Sequence, residues 1–311
     1  MKYRNAVWGA IFSLLIMGSA MFAGVTLSGC LDSGDRDGDL DLVMVTIDPQ
    51  KEMVASIAGE DIEVVVMVPE GQSPHDYSPT PNQLLKAARA DMYLKVGSGV
   101  EFEELHLGTL MDQNPDMEIV DLSEGIDLKG SEEHYGTGED SGEHDHEGGI
   151  DPHIWLSPSN LLTMAENVRD AFMERDPERN YSSRYEDYRE RLSSTYSEMS
   201  SILESYKDRK FLTYHPSWGY FADDFHLIQT TIEESGKAPG PQGVANIIEQ
   251  AQENDIKVIF VEPQFDSSKA EQIADAVNGR VVSVDPLAED LLDNLLYVAH
   301  AMADGFEEGS G

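Results

Sequence analysis

Short apolar runs rich in β-branched residues alternate with amphipathic stretches from residue 41 onwards, and this alternation constrains the fold more than any other feature. The predicted strands are 42–47, 63–68, 92–97, 210–215, 257–262 and 280–285. The predicted helices are 49–59, 80–90, 244–255 and 268–279. Alternating strands and helices are typical of α/β proteins. Because the strands are apolar on both faces, we expect mostly parallel sheets covered by helices on both sides.

A long segment between the two groups of strands, residues 180–208, has a single apolar face. Its large apolar residues recur every three or four positions: Tyr181, Tyr185, Tyr188, Leu192, Tyr196, Met199, Leu203 and Tyr206. This spacing predicts one helix of about 39 Å at 1.5 Å per residue, which could serve the regions on either side as a shared spine. A coiled-coil dimer seam is the alternative, but Tyr is a poor residue for its core positions.

The first 29 residues have the layout of an export signal, with Lys2 and Arg4 followed by an uncharged apolar run and then small residues. The sequence LSGC, which ends at Cys30, resembles the lipobox of lipoproteins. We therefore predict a signal peptide over 1–29, lipidation of Cys30 and an acidic tether over 30–41. An uncleaved transmembrane anchor is the alternative, since the run is long enough to span a bilayer. Either arrangement tethers the rest of the chain outside the cytoplasmic membrane, and the exported part has no internal disulfide because Cys30 is the only cysteine.

The chain is strongly acidic, with 59 Asp and Glu against 21 Lys and Arg and a formal net charge of −38. Such a surface repels phosphate backbones, which argues against nucleic acid as a partner, and it concentrates cations. Adaptation to a salty environment is an alternative explanation for most of this charge.

Residues 131–149 combine seven acidic residues, three histidines and five glycines. A segment of this composition cannot bury a core, so we expect a flexible loop. His134, His144 and His146 predict an auxiliary metal-binding role for the loop. A solvated linker whose histidines bind nothing is the alternative.

Four potential metal ligands, His75, His153, His215 and Asp285, each have a proline next to them in the chain. Three of the four follow a predicted strand, and ligand sites in open α/β sheets lie at the carboxyl ends of strands. Three imidazoles and one carboxylate form a tetrahedral set suited to zinc. Because 78, 62 and 70 residues separate them, the site would have to form between the two halves of the chain.

Each of these residues also has an ordinary interpretation, since histidines beside proline often lie in turns and an Asp after a strand often caps a helix. Four residues in equivalent positions favour a common site. Three other histidines, His106, His226 and His300, lie in helical patterns, and we predict structural roles for them.

An extracellular metallohydrolase would use the same ion but would need a nearby base. The sequence contains no HExxH, no GxSxG and no cysteine nucleophile. Glu262 could act as a base, although a role as a structural carboxylate or a partner of a metal ligand is the simpler interpretation. We therefore predict a protein that is not an enzyme.

Six segments in order, GQSPHDYSPTP, ARADMYLKVGSGVE, DPHIWLSP, HPSWGYFADDFHL, IFVEPQFDSSKAEQIA and VVSVDPLA, resemble a family of metal receptors. These are the solute-binding proteins (cluster A-I) of zinc and manganese ABC transporters, and the chain is most similar to their zinc-uptake branch over about residues 42–306. The resemblance implies two lobes with four-stranded parallel sheets, joined by one long rigid helix. It implies an N-terminal lobe over 42–179, the linking helix over 180–208 and a C-terminal lobe over 209–307. It also implies a metal site in the cleft, with ligands His75, His153, His215 and Asp285.

The resemblance further implies an extracytoplasmic, monomeric receptor that delivers a metal ion to an ABC permease and its ATPase. Manganese receptors of the family tend to have a carboxylate where His215 stands, so we expect Zn²⁺, with Mn²⁺ or iron as the alternative. Zinc-specific relatives usually carry an insertion rich in His, Asp and Glu before the DPH motif, as 131–149 does here. Some relatives have a disulfide in the second lobe, which this sequence lacks. A surface adhesin built on the same scaffold is a further alternative.

Overall fold

A computed structural model describes residues 40–130, 149–233 and 236–309. The strands of the first sheet are β1 (Leu42–Ile47), β2 (Glu63–Val68), β3 (Met92–Lys95) and β4 (Glu118–Asp121). Those of the second sheet are β5 (Lys210–Thr213), β6 (Ile228–Thr231), β7 (Val258–Val261) and β8 (Arg280–Ser283). All pairings within both sheets are parallel. The prediction of an α/β protein with two four-stranded parallel sheets is confirmed.

Helices flank both sheets. They are α1 (Asp48–Ala58), α2 (Pro81–Ala87), α3 (Glu101–Gln113), α4 (Pro158–Arg175), α5 (Tyr181–Leu203), α6 (Gly219–Asp224), α7 (Pro241–Glu253), α8 (Ser268–Ala276) and α9 (Leu291–Gly309). We call the first sheet with α1 to α4 the first lobe, and the second sheet with α6 to α9 the second lobe. Across the described ranges, every helix is too short or too polar to cross a membrane.

The two sheets share one topology, with strand orders β2-β1-β3-β4 and β6-β5-β7-β8. In each sheet the chain begins on an inner strand and places later strands on both sides of it. The crevice that this reversal leaves at the carboxyl ends of the strands is the usual ligand position in open α/β sheets. The topology therefore gives each lobe one such position.

Helix α5 carries the apolar face that the sequence predicts. Six of the eight predicted apolar positions are buried in the helix, and Tyr196, also in α5, and Tyr206, in the 3₁₀ turn after it, pack against the same core while partly exposed. The helix packs against α1 and α4 of the first lobe and against α9 of the second lobe. The predicted segment 180–208 contains this α-helix and a short 3₁₀ helix, Glu204–Tyr206. The α-helix ends at Leu203 and one 3₁₀ turn follows, because the chain must reverse at Asp208, with φ 62°, to enter β5.

The larger hydrophobic core is continuous between the two lobes. It extends from the first sheet through Trp155 and α5 to Phe211 and Phe260 of the second sheet and Leu295 of α9. A smaller core, which includes Ile247 of α7, Ile259 of β7 and Ile273 of α8, packs within the second lobe. Because the larger core runs without a break from one lobe to the other, the contact between the lobes is a packed interface. A close-packed interface transmits a displacement from one lobe to the other.

Several predicted elements differ from the structure in extent. Strands β3, β5 and β8 end two residues before their predicted limits, β7 ends one residue before, and the predicted helices 80–90 and 268–279 end at Ala87 and Ala276. After β5 the chain bends at once, since the Thr213 hydroxyl donates to the His215 carbonyl. The prediction that His226 lies in a helix is wrong. α6 ends at Asp224, and His226 adopts φ 55° in an exposed turn that leads to β6.

Candidate metal centre

His75 lies in the proline-rich loop after β2, at the carboxyl end of the first sheet. Its backbone N–H donates to the Ser73 hydroxyl at 3.3 Å, and its Nδ1 lies 2.9 Å from Glu101 Oε2 at the start of α3. The hydrogen bond with Glu101 raises the pKa of His75 above its ordinary value. The side chain is therefore held on its Nδ1 side by the neighbouring helix.

His153 immediately precedes a short 3₁₀ helix, Ile154–Leu156, and is buried. Asp151 Oδ1 accepts a hydrogen bond from the His153 backbone N–H at 3.0 Å and lies 2.8 Å from its Nδ1. Trp155, whose ring centroid is 5.2 Å from that of His153, donates from Nε1 to the Pro286 carbonyl at 2.8 Å. Because Pro286 follows β8, this contact ties the His153 segment to the second lobe.

His215 lies two residues beyond β5, where its Nδ1 is 2.6 Å from Glu233 Oε2. Glu233 itself follows β6, the strand that pairs with β5. The His215 ring stacks on Phe265 with centroids 4.9 Å apart. Burial lowers the pKa of His215, and its buried Nε2 has no hydrogen-bond partner among the described residues. A buried imidazole nitrogen without a hydrogen-bond partner has a lone pair available to bind a metal ion.

The three histidines converge between the lobes, with one ring nitrogen of each within 4.8 Å of the others. The ring centroids are 5.2 Å apart for His75 and His215, 5.3 Å for His153 and His215, and 6.5 Å for His75 and His153. Within residues 40–130, 149–233 and 236–309, no other three His, Cys or acidic side chains bring their ligand atoms this close together.

Each histidine of this cluster has a carboxylate at its Nδ1, which leaves Nε2 as the nitrogen available to a metal ion. Metal-binding histidines almost always donate a hydrogen bond from their second ring N–H to such a partner, which fixes the tautomer and makes the ligand more basic. Three neutral imidazoles form a partial tetrahedral set for zinc, with one position left for a carboxylate or water. The residues present therefore fit a divalent transition metal ion.

Asp285 is outside this cluster of histidines, although it also follows a strand. Its Oδ1 accepts hydrogen bonds from Gln264 Nε2 and from the Leu287 backbone N–H, both at 2.9 Å. The carboxylate closes the turn after β8 in this conformation, and its assignment as a ligand stays a prediction.

Glu262 is completely buried beneath His215. It accepts hydrogen bonds from the His215 backbone N–H at 3.3 Å and from the Ser217 hydroxyl at 3.1 Å. Burial raises the pKa of Glu262 to about 7. Its contacts are those of a carboxylate that supports the His215 segment.

The other predicted positions lie apart from the cluster. Cys30 and the loop histidines His134, His144 and His146 lie outside the described residues. His106 in α3 packs beside Phe102, with ring centroids 5.0 Å apart, and His300 is exposed on α9.

Sequence reasoning missed the three carboxylates Glu101, Asp151 and Glu233 as histidine partners. A signal was available for Asp151, which stands two residues before His153 in the DPH motif. Glu233 could have been found only by first recognising β6, which it follows.

Two parallel-sheet lobes that share a packed helix, with three convergent histidines between them, define a receptor for a metal ion. The family model for the periplasmic component A of the zinc-uptake complex, ZnuA, matches residues 43–305. The chain belongs to this family of solute-binding receptors, which are not enzymes.

Solved structures support the assignment. A crystal structure of ZnuA superposes with a TM-score of 0.78 at 33% identity, covering 86% of this chain and 99% of the other. A Mn-bound periplasmic metal-binding protein from Candidatus Liberibacter asiaticus has a TM-score of 0.72, covers 85% of this chain and 98% of its own, and is 23% identical, which supports the shared fold.

Sequence relatives are more distant. The zinc-binding lipoprotein AdcA of Streptococcus pneumoniae R6 is 26% identical over 274 residues, which cover 86% of this chain and 54% of AdcA. The chain thus spans about half the length of that relative. A putative metal-binding protein of Chlamydia muridarum is 26% identical over 276 residues, covering 87% of this chain and 94% of that protein.

Proposed function

We propose that this protein is an extracytoplasmic receptor that captures a divalent transition metal ion, zinc before others, and delivers it to an ABC permease. The observation that carries the proposal is the convergence of His75, His153 and His215, each with its Nδ1 beside a carboxylate. One ring nitrogen of each histidine lies within 4.8 Å of the others, and Nε2 is the nitrogen of each ring that is not beside a carboxylate.

Zinc is favoured because imidazole nitrogen suits zinc, whereas manganese prefers oxygen ligands. His75, His153 and His215 would supply three of the four ligands that zinc prefers. We propose Asp285 as the fourth ligand, which requires its carboxylate to leave Gln264 and turn toward the histidines. Glu262 would support His215 from beneath without touching the ion.

Capture and delivery give the remaining regions their proposed roles. A lipid on Cys30 would hold the receptor at the outer face of the cytoplasmic membrane, and this assignment is supported by the relative AdcA, a zinc-binding lipoprotein. We propose a monomer with an N-terminal lobe over 42–179, a linking helix over 180–208 and a C-terminal lobe over 209–307. The loop over 131–149 would act as an auxiliary site through His134, His144 and His146.

Metal analysis of purified variants tests the binding step. Wild-type protein, His215→Ala and the control His300→Ala, which removes an exposed histidine of α9, are stripped with chelator and offered zinc, manganese and iron(II) in competition. We expect one zinc per wild-type and control chain and none retained by His215→Ala. Stoichiometric zinc on His215→Ala would refute the three-histidine site. Preferential retention of manganese by the wild type would show that manganese, and not zinc, is the cargo.

Zinc accumulation in cells tests delivery. Cells that lack their own copy of the gene are complemented with the wild type, His215→Ala or His300→Ala under zinc limitation. We expect the wild type and the control to restore accumulation and His215→Ala to fail. Equal restoration by all three would contradict a role in uptake.

A further inference from the structure

Asp151, the carboxylate that holds His153, is itself held by a helix of the opposite lobe. The buried Tyr220 hydroxyl on α6 donates to the Asp151 carbonyl at 3.2 Å and accepts from the Lys129 backbone N–H at 2.9 Å. Gly219 lies against the Asp151 carboxylate so closely that a Cβ at this position would be 2.9 Å from Oδ2. α6 therefore contacts both the backbone and the side chain of the residue that orients His153.

Two further side chains fix α6 on the first lobe. Asp223 forms an ion pair with Lys129, and Asp224 accepts hydrogen bonds from the hydroxyls of Ser157 and Ser159, each at 2.6 Å. In the sequence, Lys129 precedes His153, and Ser157 and Ser159 follow it. The first-lobe segment that carries His153 is thus bound to α6 both before and after the histidine.

The same stretch of the second lobe carries His215, four residues before Gly219. The Ser217 backbone N–H donates to the His215 carbonyl at 2.9 Å, which makes the connection to α6 a tight turn. A displacement of α6 from the first lobe would therefore alter the support of two of the three histidines.

We propose that Tyr220 and Gly219 are positioning residues that set the orientation of His153 through Asp151 and so couple the contact between the lobes to metal affinity. This inference rests on the proposed function. An imidazole ligand depends on the fixed carboxylate behind it, and loss of such a partner typically costs about 10–100-fold in metal affinity. A partner that pulls α6 away from the first lobe would weaken His153 and His215 together, which releases the ion without unfolding either lobe.

Zinc affinity and release rate test the coupling in Tyr220→Phe and Gly219→Ala. Tyr206→Phe is the matched control, because its hydroxyl bonds Glu307, a residue of the C-terminal helix, at 3.0 Å. Affinity is measured by competition with a chromogenic chelator, and release by mixing zinc-loaded protein with excess chelator. We expect both α6 variants to bind zinc about tenfold or more weakly and to release it faster, while the control matches the wild type.

Repeating the measurement in the Asp151→Asn variant distinguishes a positioning effect of Tyr220 from a general loss of structure. Introduced into Asp151→Asn, Tyr220→Phe should lower affinity by less than it does alone, because the two residues act on His153 in series. Wild-type affinity in both α6 variants, or an equal loss with and without Asp151→Asn, would overturn the coupling. If His215→Ala loses zinc while the α6 variants behave as wild type, only this inference fails. If the wild type binds no zinc, both this inference and the proposed function fail.

Discussion

Glu233 Oε2 lies 2.6 Å from His215 Nδ1, and the two side chains are only 8% and 13% exposed. A carboxylate this close accepts the Nδ1 proton and fixes the neutral tautomer in which Nε2 is free to bind metal. Burial excludes competing water from this pair, as it does from His153 and Asp151, whereas the pair of His75 and Glu101 is more exposed.

Removal of the carboxylate in Glu233→Ala should therefore weaken zinc binding by about 10–100-fold, because Nδ1 of His215 loses the partner that fixes its tautomer. Calorimetric or chelator-competition titration measures the change. Glu308→Ala is the control, since Glu308 forms an exposed ion pair with Arg280 at the end of α9. Unchanged zinc affinity in Glu233→Ala would show that His215 needs no partner to bind.

Two histidines of the cluster should affect the pH dependence of the metal-free protein in opposite directions. The hydrogen bond with Glu101 raises the pKa of His75 above 6.5, so its stabilising contribution is complete below that pH and is lost as pH rises through the raised pKa. Burial lowers the pKa of His215 below 6.5, so the folded state binds the proton less tightly and loses stability as pH falls through this range.

Urea unfolding of His75→Asn and His215→Asn at about pH 5.5 and about pH 8 measures both effects, in chelator to remove metal. Relative to the wild type, His75→Asn should be more destabilising at the lower pH, and His215→Asn should be less destabilising there. Parallel pH profiles for the two variants would contradict the assigned environments.

Two glycines outside the site should respond to alanine in opposite ways. A Cβ on Gly279 would lie 1.9 Å from the Lys257 carbonyl oxygen, and because the obstacle is backbone, Gly279→Ala should lower the free energy of unfolding by about 3 kcal/mol or more. Gly108 lies within α3 with open space around it, so Gly108→Ala should raise that free energy by about 0.5–1 kcal/mol. Chemical denaturation measures both, and equal effects would contradict the packing at Gly279.

Asp224 should contribute to stability because it accepts three hydrogen bonds at the first turn of α4, from both serine hydroxyls and from the Ser159 backbone N–H at 3.0 Å. Loss of such a cap in Asp224→Ala should cost about 1–2 kcal/mol of unfolding free energy. Asp187→Ala, which removes an exposed carboxylate from α5, is the control. Identical unfolding midpoints for the two variants would show that the α6 contact adds no stability.

The sequence predicted six of the eight strands in the described residues, including the edge strands β2 and β8, but missed β4 and β6. Both are edge strands with partly exposed residues, and β6 reads IQTT, so neither carries the continuous apolar run that identifies a buried strand. No bounds were predicted for helices α3, α4, α6 and α9, although the helical patterns around His106 and His300 belong to α3 and α9. The face of α5 was clear because its apolar spacing holds over six turns.

The candidate histidines could be predicted because each stands beside proline, two of them just after a strand. Their partners could not, since Glu101 and Glu233 are two among 59 acidic residues and only tertiary folding brings them to an imidazole. The orientation of Asp285 was likewise beyond the sequence, because it depends on Gln264, which comes from the preceding strand-end loop.

X-ray absorption at the zinc edge of zinc-loaded wild-type protein counts the ligands of the bound ion and therefore probes the three-histidine site itself. We expect three imidazole nitrogens per zinc at about 2.0–2.1 Å, with a fourth oxygen ligand. A shell of oxygen ligands with one imidazole or none would contradict this expectation, because the ion would then lie on the acidic surface and not between His75, His153 and His215.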